Sequence, residues 1–99
     1  MSDQTASTNP LLISLVFSLS QAALMQMGKI ANPMNGKAEK NLNQAKVSID
    51  MLEMIKDKTI GNLSQEEVKL LNETVADLQL NYAHEINSND DSETQSTIN

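Results

Sequence analysis

The sequence predicts an all-α protein: a small three-helix fold with a long apolar first helix and a C-terminal helical hairpin, gathered into an oligomeric bundle. Three observations predict it. Apolar residues recur at helical spacing in three separate stretches. The turn dipeptides Asn32-Pro33, Asn35-Gly36 and Gly61-Asn62 fall between those stretches. Helix-start signals stand at Asn9-Pro10 and at Ser64-Gln65-Glu66-Glu67.

The first helix is placed near residues 9–28. Asn9 can cap it, Pro10 suits the first helical position, and Gly28 supplies a stop. Ser14, Ser18, Gln21 and Met25 fall on one narrow strip at i, i+4, i+7 and i+11, and almost everything else around the helix is apolar. A helix apolar over most of its circumference must be surrounded. Residues 29–41 form a connection longer than the usual helix–helix loop of about 2–8 residues. It is either an excursion that sets the packing order or a loop that meets a partner. Leu42, Ala45, Ile49 and Leu52 open a second helix, near 42–59, with Lys46, Asp50, Glu53, Lys56 and Asp57 on its exposed side. In the third, near 65–85, Ser64 and Glu67 form a capping box with Leu63 and Val68 at the staple positions. Val68, Leu71, Val75, Leu78 and Tyr82 continue as a narrow seam. The short link makes the second and third helices an antiparallel hairpin.

Length bounds the fold further. Of 99 residues, the first eight (MSDQTAST) and the acidic stretch 87–99 are too polar to repay the entropy of ordering them, so both tails are expected to be disordered. A single helical domain of residues 9–86 has a marginal core and calls for a disulfide, a metal or a partner subunit. The chain has no cysteine, so a partner subunit is the expected staple.

Charge excludes other partners. The net charge is −6, and the seven basic residues are all lysine, interspersed with carboxylates. Nucleic-acid binding normally needs a basic stripe rich in arginine, and docking on an anionic membrane needs clustered basic residues. Neither pattern is present.

The stretch LLISLVFSLSQAALMQMG could be a signal, a span or a soluble helix. No basic residue precedes Leu11 and no small-residue cleavage site follows, which argues against a signal. As a helix, residues 11–27 reach about 26 Å, short of a hydrocarbon core of about 30 Å, and Gln21 sits near the middle. The segment is therefore expected to be a soluble helix with more apolar surface than its own chain can cover.

No chemistry emerges from the remaining polar residues. Asp50, Glu53 and Asp57 share a helix face, but no Glu–His pair at i, i+3 accompanies them, and the interleaved lysines make it a solvated, paired face. His84 is the single histidine and has no acid, nucleophile or second ligand near it in sequence. Met25 and Met27 point about 200° apart on a helix and cannot chelate soft copper together. Ser14 and Ser18 allow close helix approach but have no base beside them. No catalytic residue, metal site or cofactor is therefore expected.

FSLSQAALMQMGKIANP, DMLEMIKDKTIGNLSQEE and LLNETVADLQLNYAH together resemble the small bacterial domain of unknown function 1844 family, over roughly residues 14–84. The marks are the loop with Gly28, Asn32, Pro33 and Gly36, the KTIGNLSQEE turn, and the C-terminal Leu-Tyr helix. These are packing and turn features. The resemblance implies a cytoplasmic bacterial protein and transfers no activity or site residue.

The expected function is a non-catalytic interaction or scaffold protein that binds copies of itself or another protein. Leu12, Leu15, Val16, Leu19, Ala23 and Met27 are its expected interface. The alternative is a small helical protein that binds a hydrophobic ligand or lipid, or associates with a membrane.

Overall fold

The computed structural model describes the backbone of residues 8–98 and the side chains of residues 8–88. The expected N-terminal tail, 1–8, thus lies almost wholly outside the described residues. Three helices are described: α1 (Pro10–Gln26), α2 (Leu42–Lys58) and α3 (Gln65–Ile98).

Local chemistry sets the helix ends. Asn9 is extended, and its side-chain oxygen accepts the Leu11 N–H at 2.9 Å, with Pro10 following at the first helical position. At the other end the Gly28 N–H donates to the Met25 carbonyl at 3.0 Å and the Lys29 N–H to that of Leu24 at 2.9 Å. This is a Schellman stop, and it requires the left-handed backbone that Gly28 adopts at φ +79°. Asn41 caps α2 by accepting the Gln44 N–H at 3.1 Å, and the Thr59 hydroxyl closes it by donating to the Ile55 carbonyl at 2.7 Å. The expected capping box opens α3: Ser64 Oγ accepts the Glu67 N–H at 3.2 Å, and Glu67 Oε1 accepts the Ser64 N–H at 2.9 Å.

Residues 27–41 are a folded connection. Met27 pairs with Lys40 and Asn32 with Lys37 as isolated antiparallel bridges. The Asn41 N–H donates to the Gln26 carbonyl at 2.7 Å, which closes the base of the excursion. Its length is thus taken up by a small two-armed turn with Met34, 90% exposed, at the tip.

Each helix buries one stripe. Val16, Ala23 and Met27 of α1 meet Ala45, Ile49 and Leu52 of α2 and Leu71, Val75 and Leu78 of α3, with Leu12, Leu19, Leu42, Leu63 and Tyr82 packed around them. Val68, expected in the α3 seam, is instead exposed. α2 folds back on α1, joined by a 2.7 Å hydrogen bond between Ser48 Oγ and the Gln26 amide. α1 and α3 run the same way, because Asn9 meets Glu67 at one end and Lys29 meets Glu85 at the other.

Two expectations change. Helix α3 does not end near residue 85 but carries helical backbone to Ile98. The stretch from 86 to 98 contains no glycine or proline, so no local signal interrupts the i to i−4 ladder even where the sequence is polar. The interface prediction also changes. Val16, Ala23 and Met27 are covered by their own chain, and Leu12 and Leu19 pack against the same core. Of the six residues only Leu15 stands substantially in solvent, at 46%. On a helix apolar nearly all round, hydropathy does not reveal which stripe the chain's own helices cover.

Candidate interaction surface

α1 contains no charged residue in its seventeen positions. With the Val16–Ala23–Met27 stripe turned inward, helical geometry puts Ser14, Ser18 and Met25 on the opposite, outer side. Ser14 and Ser18 are exposed, as expected of the polar strip. Leu11, 80% exposed, and Leu15 flank that strip on the edge that also carries Ala22 and Gln26. Phe17, 62% exposed, emerges on the other edge.

The Gln26–Ser48 contact tells which edge adjoins α2. The two side chains are 2.7 Å apart. With the amide nitrogen of Gln26 turned toward α2, its two hydrogens are shared among Ser48 Oγ at 2.7 Å and the carbonyls of Ala22 and Gln44, both at 3.1 Å. This satisfies a polar pair at the rim of the core. The Leu11–Leu15–Ala22 edge therefore borders α2. Val47, Met51 and Met54, all exposed, lie on the outer side of α2, one to two positions round from Ser48. Together these side chains form an apolar face across α1 and α2. Neither Gln26 nor Ser48 was singled out by the sequence; a small hydroxyl within an apolar repeat was the available signal.

Asp50 falls among the α2 residues of this face, three positions from Val47 and four from Met54, and its carboxylate is paired. Lys46 pairs with Asp50 at 3.0 Å, and the Glu53 carboxylate accepts the Gln79 side-chain N–H at 2.9 Å, linking α2 to α3. The Asp50 hydrogen bond and charge raise the Lys46 pKa above its ordinary value. Asp50 and Asp57 are exposed, as expected of a solvated face, and His84 is exposed on α3. Among the described residues no group of three or more His, Cys, Asp or Glu could hold a metal ion.

Two carboxylates act as locks. Glu67, only 6% exposed, accepts the Asn9 N–H at 2.6 Å in addition to the Ser64 N–H. The cap of α3 is thereby tied to the cap of α1. The Ser64 and Asn9 amides hold the Glu67 carboxyl below its usual pKa. Glu85 receives Lys40 at 2.7 Å and Lys29 at 2.9 Å, so α3 grips both arms of the 27–41 turn. Those two ammonium groups, Lys40 first, depress the Glu85 carboxyl. The sequence marked Glu67 through the capping box but carried no sign of Asn9 as its second donor. Glu85 lay at the expected helix end, where a long-range pair leaves no local pattern.

Two hollows adjoin the α2–α3 turn. One, of about 730 Å³, is wide open and bordered by Asn9, Leu12, Thr59 and Glu67. The other, of about 310 Å³, is more apolar, with Ile60, Leu63 and Val68 on its walls. Among the described residues no helix is long and apolar enough to cross a membrane.

The family model described as Domain of unknown function (DUF1844) matches residues 9–84. The chain belongs to the DUF1844 family. That span begins at the α1 cap and ends one residue before Glu85, so it takes in the whole three-helix core. No curated protein and no solved structure matches. In this DUF1844 chain the geometry therefore speaks for itself, and what it offers is a surface.

Proposed function

We propose that this protein is a non-catalytic, self-associating helical module that works in the bacterial cytoplasm as an interaction or scaffold unit. One observation carries the reading: α1 is free of charged residues, yet Leu11, Leu15 and Phe17 on it remain in solvent. Val47, Met51 and Met54 extend that surface on α2. Full burial of side chains of this size favours association by about 1.5–3 kcal/mol each before entropy costs.

Charge supports the same partner. Copies with a net charge of −6 repel one another, and α1, which carries no charged side chain, is where that repulsion is weakest. The interface so proposed keeps Leu15 from the sequence reading and replaces Leu12, Val16, Leu19, Ala23 and Met27, which pack into the chain's own core, with Leu11, Val47, Met51 and Met54.

Light scattering on the detergent-free full chain over a concentration series tests this. The wild type should exceed the monomer mass. Leu15→Arg should give a helical monomer, since a half-exposed position lets the guanidinium reach water. Glu53→Ala should leave the mass unchanged. A wild type that is monomeric at every concentration would sink the proposal. A second reading, binding of a hydrophobic ligand, draws on the 310 Å³ hollow lined by Ile60, Leu63 and Val68. Native mass spectrometry with co-purified lipid on a monomeric chain would favour it.

A further inference from the structure

We propose that Asn35 is a site of spontaneous deamidation, with the Gly36 nitrogen as the intramolecular nucleophile, and that the turn at residues 32–37 assembles the reacting groups. Several asparagines lie along the described chain, but Asn35 alone among those residues is followed by glycine. Asn9 and Asn32 precede proline, whose nitrogen has no proton to lose. Asn41, Asn43, Asn62, Asn72, Asn81, Asn87 and Asn89 precede residues that carry a side chain, which crowds the following amide.

The local geometry favours the reaction. Asn35 and Gly36 are both exposed, and the space where a Gly36 Cβ would stand is empty out to 4 Å. Asn35 Oδ1 accepts the Lys37 N–H at 2.9 Å. That contact is an Asx-turn, which folds the Asn35 side chain forward past the intervening Gly36 amide. The same donor sits on the oxygen that gains negative charge as the Gly36 nitrogen adds, the arrangement of an oxyanion hole. One contact opposes it: the Gly36 N–H donates to the Asn32 carbonyl at 2.7 Å. This group is exposed, and water can take over the bond when the proton departs.

The steps balance with water as the sole co-reactant. Hydroxide removes the Gly36 amide proton, and the nitrogen forms a bond to the Asn35 side-chain carbon. The carbon–nitrogen bond of the carboxamide then breaks, releasing ammonia and leaving a five-membered cyclic imide. Water opens the imide at either carbonyl, giving aspartate or isoaspartate at position 35. Both products add a carboxylate to a chain of net charge −6. Isoaspartate also inserts a methylene into the main chain. The Asn32–Lys37 bridge and the Gly36-to-Asn32 bond cannot then both keep their present geometry.

The test is incubation of the full chain at mildly alkaline pH, folded and in urea, followed by peptide mass spectrometry. The expected result is replacement of NH₂ by OH at residue 35, at a folded-state rate at least equal to that in urea and rising with pH. Gly36→Ala should lose most of the conversion. Hydrogen exchange in the aged protein should show loosened amides at Asn32 and Gly36 with the helical core still protected. A folded-state rate slower than that in urea, conversion at other asparagines in preference to Asn35, or an unaffected Gly36→Ala variant would each overturn the proposal.

Discussion

Gly28→Ala tests how α1 is joined to the connecting turn. Gly28 stands at φ +79°, where an alanine is strained by about 1–2 kcal/mol. A Cβ there would also lie 2.9 Å from Lys40 Cγ, with Lys40 Cε at 3.6 Å. Lys40 cannot simply swing aside, because its ammonium is held on Glu85 at 2.7 Å. Releasing that partly exposed pair adds up to about 1 kcal/mol. Alanine also narrows the unfolded ensemble, which returns about 0.4–1 kcal/mol. The net destabilisation is about 1–2 kcal/mol, a fall of roughly 0.5–1 M in the urea midpoint for a slope near 2 kcal/mol/M. Gly36→Ala is the matched control: φ is +70°, but nothing lies within 4 Å of its Cβ. Urea unfolding followed by circular dichroism at one fixed protein concentration measures both. The Gly28 penalty should exceed the Gly36 penalty, and the excess should vanish in a Lys40→Ala background, where the crowding atoms are gone. Equal penalties at the two glycines, or an excess that survives Lys40→Ala, would refute the reasoning.

Three further outcomes follow from the packing. Leu52→Ala, at a side chain with no exposure, should cost about 2–5 kcal/mol in urea unfolding, whereas Leu80→Ala at a largely exposed position should stay within about 0.5 kcal/mol. Asn41→Ala removes the acceptor for the Gln44 N–H and should lower stability by about 0.5–2 kcal/mol on the same assay. Acid should weaken the fold through Glu67 and Glu85: both carboxyls are depressed below 4.5 in the folded state. Their contribution is therefore present above that value and lost as pH falls through the folded pKa values. Urea midpoints from neutral pH downward should drop below about pH 4.5, and the Glu67→Gln, Glu85→Gln double variant should show a shallower drop.

Much of the fold was legible because it rests on local signals. Asn9-Pro10, the apolar repeat from Leu42, Gly61 and the Ser64–Glu67 box act within a few residues of where they stand, so helix starts and the α1 and α2 ends emerged within one or two positions. The end of α3 did not, because its polar extension lacks a stop signal and has the composition of a disordered tail. The Leu71–Val75–Leu78 stripe was visible because polar residues surround it. The α1 stripe was not, because Leu11, Leu15 and Phe17 are as apolar as Val16 and Met27. The Lys29–Glu85, Lys40–Glu85 and Asn9–Glu67 contacts join residues distant in sequence, and such pairs have no periodicity to betray them.

The sequence by itself determined that this chain is helical, where its helices begin, and that α1 has more apolar surface than two partners of its size can cover. Only the tertiary structure decided which part of that surface is surplus. Hydrophobic burial is non-directional, and a uniformly apolar helix can present any stripe to its neighbours. The choice falls to contacts with direction, the Gln26–Ser48 hydrogen bond and the Asn9–Glu67 and Glu85–lysine locks. Those contacts turn Val16, Ala23 and Met27 inward and leave Leu11, Leu15 and Phe17 outside.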